Sequence, residues 1–81
     1  MCEGYIKIIQ TDRHFGFIKS INEREEYFFH KDDFLGDWFD LLERYAYGEY
    51  SQVKVQFLKA TTPKGLRARN VSLVEENDTQ T

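Results

Sequence analysis

Arg13-His14-Phe15-Gly16-Phe17-Ile18, with its echo at Tyr27-Phe28-Phe29-His30, decides how the chain is read. Side chains alternate faces along a strand, so Phe15 and Phe17 leave one face together and Gly16 leaves the other almost bare. In the echo, Tyr27 and Phe29 share one face while Phe28 and His30 share the other. Two strands that each show flat rings on one face make a stacking platform. Rings ordinarily fill cores, and in a small barrel Phe15, Phe17 and Phe28 could do so. A separate apolar set exists for that purpose: Ile6, Ile18, Phe29, Phe34, Val53, Val55, Phe57 and Val71. With Ile18 pointing inward, Phe17 points away, and Phe15 would join the inside only if a bulge intervened.

Outward from these two stretches the chain reads as short strands and polar turns. Residues 5–9 are aromatic, isoleucine and lysine, a β-rich run. Residues 11–14 form a tight turn into a second strand, 15–21. After the polar turn 22–26 comes a third strand, 27–30. Such a sequence of strands predicts an antiparallel meander that closes into a barrel. The next segment changes period. Asp37 has N-cap chemistry, with Asp40 three residues on as a weak capping box. Trp38, Leu41, Leu42 and Tyr45 follow at i, i+3, i+4 and i+7, the spacing of one helical stripe. Asp40 and Arg44 are spaced to pair, and Gly48 supplies a stop. A helix of two to three turns is therefore expected between strands. Alternation resumes with Val53, Val55 and Phe57 against Lys54, Gln56 and Leu58, a half-buried fourth strand. Thr61-Thr62-Pro63-Lys64-Gly65 reads as a turn. Residues 66–74 make a fifth strand with Val71 and Leu73 inward. The reading gives one domain over 1–74, with an acidic, aromatic insertion at 35–50 and a fraying tail at 75–81.

Composition sets the outer limits. A chain of 81 residues makes a single small domain, which buries roughly 60% of its unfolded surface. No apolar run approaches the roughly 20 residues that cross a bilayer. The start, Met1-Cys2-Glu3-Gly4, has neither a secretory pattern nor glycine in second place. A lone cysteine makes no internal disulfide, so a reducing, cytoplasmic home is expected. The net charge of −3 argues against a generic charge-driven nucleic-acid binder, but the charge is uneven. Residues 23–49 hold nine acids against three bases, whereas 50–74 hold five bases and no acid. Such asymmetry permits one basic edge on an acidic molecule.

Five short strands in this order resemble the barrel that binds oligonucleotides, and within that group the sequence resembles the bacterial cold-shock domain. Gly4-Tyr5-Ile6-Lys7 is similar to that family's opening glycine, x, valine, lysine. Arg13-His14-Phe15-Gly16-Phe17-Ile18 is similar to its first ribonucleoprotein motif, Phe28-Phe29-His30 to the core of its second, and Lys64-Gly65, Ala68 and Asn70-Val71 to its closing strand. The likeness covers residues 3–34 and 50–74, in the family's order. A four-stranded RNA-binding module with two helices uses a related motif but places its second motif first. This chain departs from the cold-shock pattern at four places. Ile8 stands where the family has an exposed tryptophan, His14 where it has a glycine, and Lys31 where it has a third aromatic. The segment 35–50 is longer than the family's loop.

The resemblance implies an all-β, five-stranded antiparallel barrel with a short helical insertion between strands 3 and 4. It implies that Phe15, Phe17 and Phe28 stack on bases, with His30 stacking or hydrogen bonding beside them. Ile8 occupies the place of a lost ring on the same surface. Lys7, Arg13, Lys31 and Lys59 are candidate phosphate neighbours; lysines on strand edges also serve simply to block edge pairing. The expected partner is single-stranded RNA or DNA, bound with little sequence preference, in an RNA-chaperone-like role. The alternative is a protein-interaction module in which Trp38, Phe39, Leu42 and Tyr45, within 37–50, dock another protein or a second copy. As a lid on the barrel, the same stripe would be inside. Catalysis has little support. Asp32 and Asp33 beside His30 would face opposite ways on a strand, and Cys2, His14 and His30 lack zinc spacing. No nucleophile triad or phosphate loop is present, and neither metal nor cofactor is expected.

Overall fold

The computed structural model describes residues 1–47 and 53–74. Its strands are β1 (Cys2–Gln10), β2 (Phe15–Ser20), β3 (Glu26–His30), β4 (Lys54–Thr62) and β5 (Gly65–Leu73), and its helix is α1 (Trp38–Tyr47). The strands close into a barrel in the order β1-β2-β3-β5-β4. The β1–β2, β2–β3, β4–β5 and β1–β4 pairs are antiparallel, and β3 meets β5 in parallel through Phe28 and Arg67. This is the five-stranded barrel of the oligonucleotide-binding fold, with one short helix between β3 and β4.

The ladder runs further than the turn residues suggested. Thr61 and Thr62 were expected in a turn, but they pair with Leu66 and Gly65. Both are β-branched and extend the strand, so the turn contracts to Pro63 and Lys64. The Thr62 hydroxyl closes it, donating to the Gly65 carbonyl (2.8 Å) and accepting from Lys64 N–H (3.2 Å). A second correction concerns Asp32 and Asp33, which lie not on a strand but in a 3₁₀ turn, Lys31–Asp33. His30 caps that turn. Its Nδ1 accepts from Asp32 N–H (3.1 Å), and its own N–H donates to Asp33 Oδ2 (3.0 Å).

A bulge in β1 between Ile6 and Ile8 lets both Ile6 and Ile9 point inward and leaves Lys7 and Ile8 outside. The interior also takes Ile18, Tyr27, Phe29, Phe34, Val55, Phe57, Ala68 and Val71. Val53 and Leu73, expected inside, are half-buried and pack against its edge. Tyr27 is fully buried, and its ring lies 5.0 Å from that of Phe57. At one end of the barrel α1 acts as a plug. Trp38 sits against Phe29 (6.2 Å) and Phe34 (6.1 Å), Leu41 is fully buried, and Leu42 and Tyr45 pack on the core. Burying each of the two inner residues is worth about 1.5–3 kcal/mol. Asp37 caps the helix by accepting from Phe39 N–H at 3.0 Å, while Asp40 pairs with Arg44 at 3.2 Å instead of reaching back to the cap. Phe39 and Tyr47 face solvent. Gly48, the expected stop, and the tail 75–81 lie outside the described residues.

Candidate nucleic-acid interface

Residues opposite one another on neighbouring strands share a face. On the outside of the barrel this produces two rows. Ile8 pairs with Phe17, Phe17 with Phe28, and Phe28 with Arg67. Beside them Gln10 pairs with Phe15, and Phe15 with His30. Three rings therefore meet on the outer surface: Phe15 and Phe28 at 5.5 Å, Phe17 and Phe28 at 5.9 Å, Phe15 and Phe17 at 6.1 Å. All three are half-buried, with the edge-to-face and tilted geometries that aromatic quadrupoles favour. The barrel does not need them, because its interior is already filled from the other face. Nor does α1 reach over them, since its buried face contacts Phe29 and Phe34 within.

Gly16 explains how the outward rings are held. Its position faces inward, where a Cβ would meet the Ile8 carbonyl oxygen at 2.7 Å and the Phe29 ring at 3.0 Å. Only a residue without a side chain lets β2 lie this close to β1 while Phe15 and Phe17 stay outside. The turn feeding β2 carries His14 at φ +62°, a left-handed conformation more natural to glycine. The His14 carbonyl accepts from Lys31 N–H at 2.8 Å, so the β1–β2 turn and the 3₁₀ turn are joined.

That junction gathers positive charge at the Phe15–His30 end of the platform. Arg13 and Lys31 are both exposed there, and neither has an acidic partner among the described residues. The other two candidate cations are engaged. Lys7 binds Glu26 at 2.6 Å and holds its carboxyl below the usual range. Lys59 lies opposite Ala68, on the inward-facing side of the β4–β5 ladder, and binds Glu23 at 2.9 Å. Glu23 in turn accepts from the Tyr27 hydroxyl at 2.8 Å, closing the barrel end away from α1. Hydrogen bonds from Lys59 and then Tyr27 lower the Glu23 pKa, that from Glu23 raises Lys59, and burial followed by Glu23 raises Tyr27. The structure thus brings Ile8, Phe15, Phe17, Phe28, His30, Arg13 and Lys31 to one surface, leaves Lys7 at its edge, and sets Lys59 elsewhere. Of the helix residues considered for docking, Trp38, Leu42 and Tyr45 turn to the core, and only Phe39 is exposed.

Sequence reasoning passed over Arg67. Its guanidinium lies 5.6 Å from the Phe28 ring centroid, donates from Nε to Asp33 Oδ2 (3.0 Å) and forms an ion pair with it through Nη2 (2.9 Å). The signal was nearly invisible, because the two residues are 34 positions apart and meet only through the β3–β5 pairing.

A closed five-stranded barrel with outward rings on β2 and β3 defines the oligonucleotide-binding class of small β-barrels. The family model described as the 'Cold-shock' DNA-binding domain matches residues 2–74. The chain belongs to the cold-shock domain family, whose members bind nucleic acid. No curated protein matches it significantly. Among the described residues no helix is long and apolar enough to cross a membrane.

Proposed function

We propose that the protein binds single-stranded RNA or DNA in the cytoplasm by stacking bases on Phe15, Phe17 and Phe28. His30 stands at the platform's end, with Nδ1 accepting from the Asp32 N–H. That bond leaves the proton on Nε2, available to a base or phosphate. Arg13 and Lys31 lie nearest the backbone path. The observation that carries this reading is the mutual contact of three half-buried rings on the outside of a barrel already filled from within. Stacking contributes roughly 1–3 kcal/mol per base and accepts any base, because each has a π-face. Low sequence preference and an RNA-chaperone-like role, keeping strands unpaired, follow from that tolerance. The missing ring at Ile8 makes the platform smaller on its β1 side.

The test is titration of a fluorescent pyrimidine-rich oligonucleotide at low salt, with circular dichroism confirming each variant's fold. Phe15→Ala and Phe28→Ala should each weaken binding by about five-fold or more. Unchanged affinity in folded variants would refute the stacking platform.

A further inference from the structure

The Arg67 guanidinium is fixed in a way that an ordinary surface arginine is not. Asp33 is 8% exposed, and its Oδ2 accepts from His30 N–H (3.0 Å) and Arg67 Nε–H (3.0 Å), with Arg67 Nη2 in ion-pair contact at 2.9 Å. The carboxylate is thereby anchored to the β3 backbone, and the arginine is anchored to it. Its position on β5 opposite Phe28 puts the guanidinium in the same outer row as Phe17 and Phe28, with 31% of the side chain exposed. Nε and the adjacent N–H of Nη2 form one fork of the guanidinium, and Asp33 occupies it. The end fork, an N–H from each terminal nitrogen, has no partner among the described residues. This planar cation is a pre-oriented donor pair beside a base-stacking ring.

Resting on the stacking function above, we propose that Arg67 extends the platform onto β5 and reads one base there, selecting guanine. Guanine presents two adjacent acceptors, O6 and N7, matched to an arginine fork. Arginine planes also carry bases in single-stranded recognition. The site favours a base over a phosphate for a structural reason: the guanidinium is held 5.6 Å from the Phe28 ring centroid by a buried carboxylate whose charge already neutralises it. A phosphate would gain little net attraction there. Guanine needs the geometry more than the charge. Lysine could not substitute, having a single rotatable ammonium in place of the fork.

The experiment compares a short oligothymidine with the same strand carrying a single guanine, the guanine being moved through each position in turn. The native protein should bind the best-placed guanine strand about five-fold or more tighter than oligothymidine. Arg67→Gln and Arg67→Lys should weaken the guanine strand more than oligothymidine and so bring that ratio to about one. Asp33 is stranded in the Gln variant, so the double variant Arg67→Gln, Asp33→Asn keeps the comparison available if the single one fails to fold. A native ratio of one, or a ratio that survives in the folded variants, overturns the proposal. So does an equal loss on every strand with a shallower salt dependence, which marks a phosphate contact. Failure of stacking itself is a separate result, read from Phe15→Ala and Phe28→Ala on oligothymidine alone.

Discussion

At the scale of single residues, two backbone positions beside the rings behave in opposite ways. Gly16→Ala drives a Cβ to 2.7 Å from the Ile8 carbonyl, which cannot retreat without opening the β1–β2 ladder. A loss of about 1–3 kcal/mol is expected in denaturant unfolding, and an unchanged midpoint would contradict it. His14 presents the opposite case. Its φ of +62° is costly for a residue with a Cβ, so His14→Gly should be neutral or stabilising, by up to about 1 kcal/mol. The same unfolding measurement checks it, and a clear loss would count against strain at that turn. Gly16 was legible in the sequence because the ring–glycine–ring pattern already separates two faces, and the oddity of His14 was legible from the resemblance, whose family has a glycine there. Asp33 and Arg67 were not. On a strand Asp33 would have been one of two divergent carboxylates, and only the 3₁₀ turn brings it under Arg67.

At the scale of elements, the helix and the far rim close the two ends of the barrel by different means. The helix does so with apolar area. Trp38 is buried, and its indole N–H finds no acceptor among the described residues. Trp38→Phe should therefore cost only about 1–2 kcal/mol, since no hydrogen bond is lost, while Trp38→Ala should cost about 3–5 kcal/mol. Phe39→Ala, on the exposed side, should stay within about 0.5 kcal/mol. Thermal unfolding orders the three, and a large effect at Phe39 would reverse the assignment of faces. The stripe at 38, 41, 42 and 45 was readable from its helical period, but a period does not say whether a stripe meets its own barrel or another protein. The rim uses charge. Glu23 has a lowered pKa in the fold, so its contribution is complete above the ordinary glutamate range and fades as pH falls through the lowered value. Tyr27 and Lys59 are raised, so theirs is complete below their ordinary values and fades as pH climbs through the raised ones. Stability should accordingly decline at both acid and alkaline extremes, and Glu23→Gln should flatten both limbs. Unaltered limbs in that variant would show that the rim network contributes nothing.

Considered whole, the molecule is an acidic protein with a basic corner beside the rings, at Arg13 and Lys31. Five bases and no acid in residues 50–74 suggested a positive edge, yet Lys59 and Arg67 are tied to Glu23 and Asp33 from earlier in the chain. Charge counted along a sequence cannot anticipate partners that the topology delivers. The unpaired cations beside the rings come instead from Arg13 and Lys31. Each phosphate contact to a single strand contributes about −0.7 to the slope of log affinity against log salt. Arg13→Gln should therefore make that slope shallower by about 0.7, whereas Lys59→Gln should leave it unchanged; equal changes would disperse the phosphate path around the barrel. The barrel itself was legible almost throughout, because alternation, turn residues and the paired motifs all agree. Strand ends were less so, since the threonines at 61 and 62 serve a turn or a ladder equally well.

The most direct measurement is an amide and aromatic-ring NMR titration with a single-stranded oligonucleotide. Shifts concentrated at Phe15, Phe17, Phe28 and His30, with Arg13 and Lys31 beside them, are what the account predicts. A response confined to Phe39 and Tyr47 on the helix, or to Glu23 and Lys59 at the opposite rim, with the three rings silent, would contradict it.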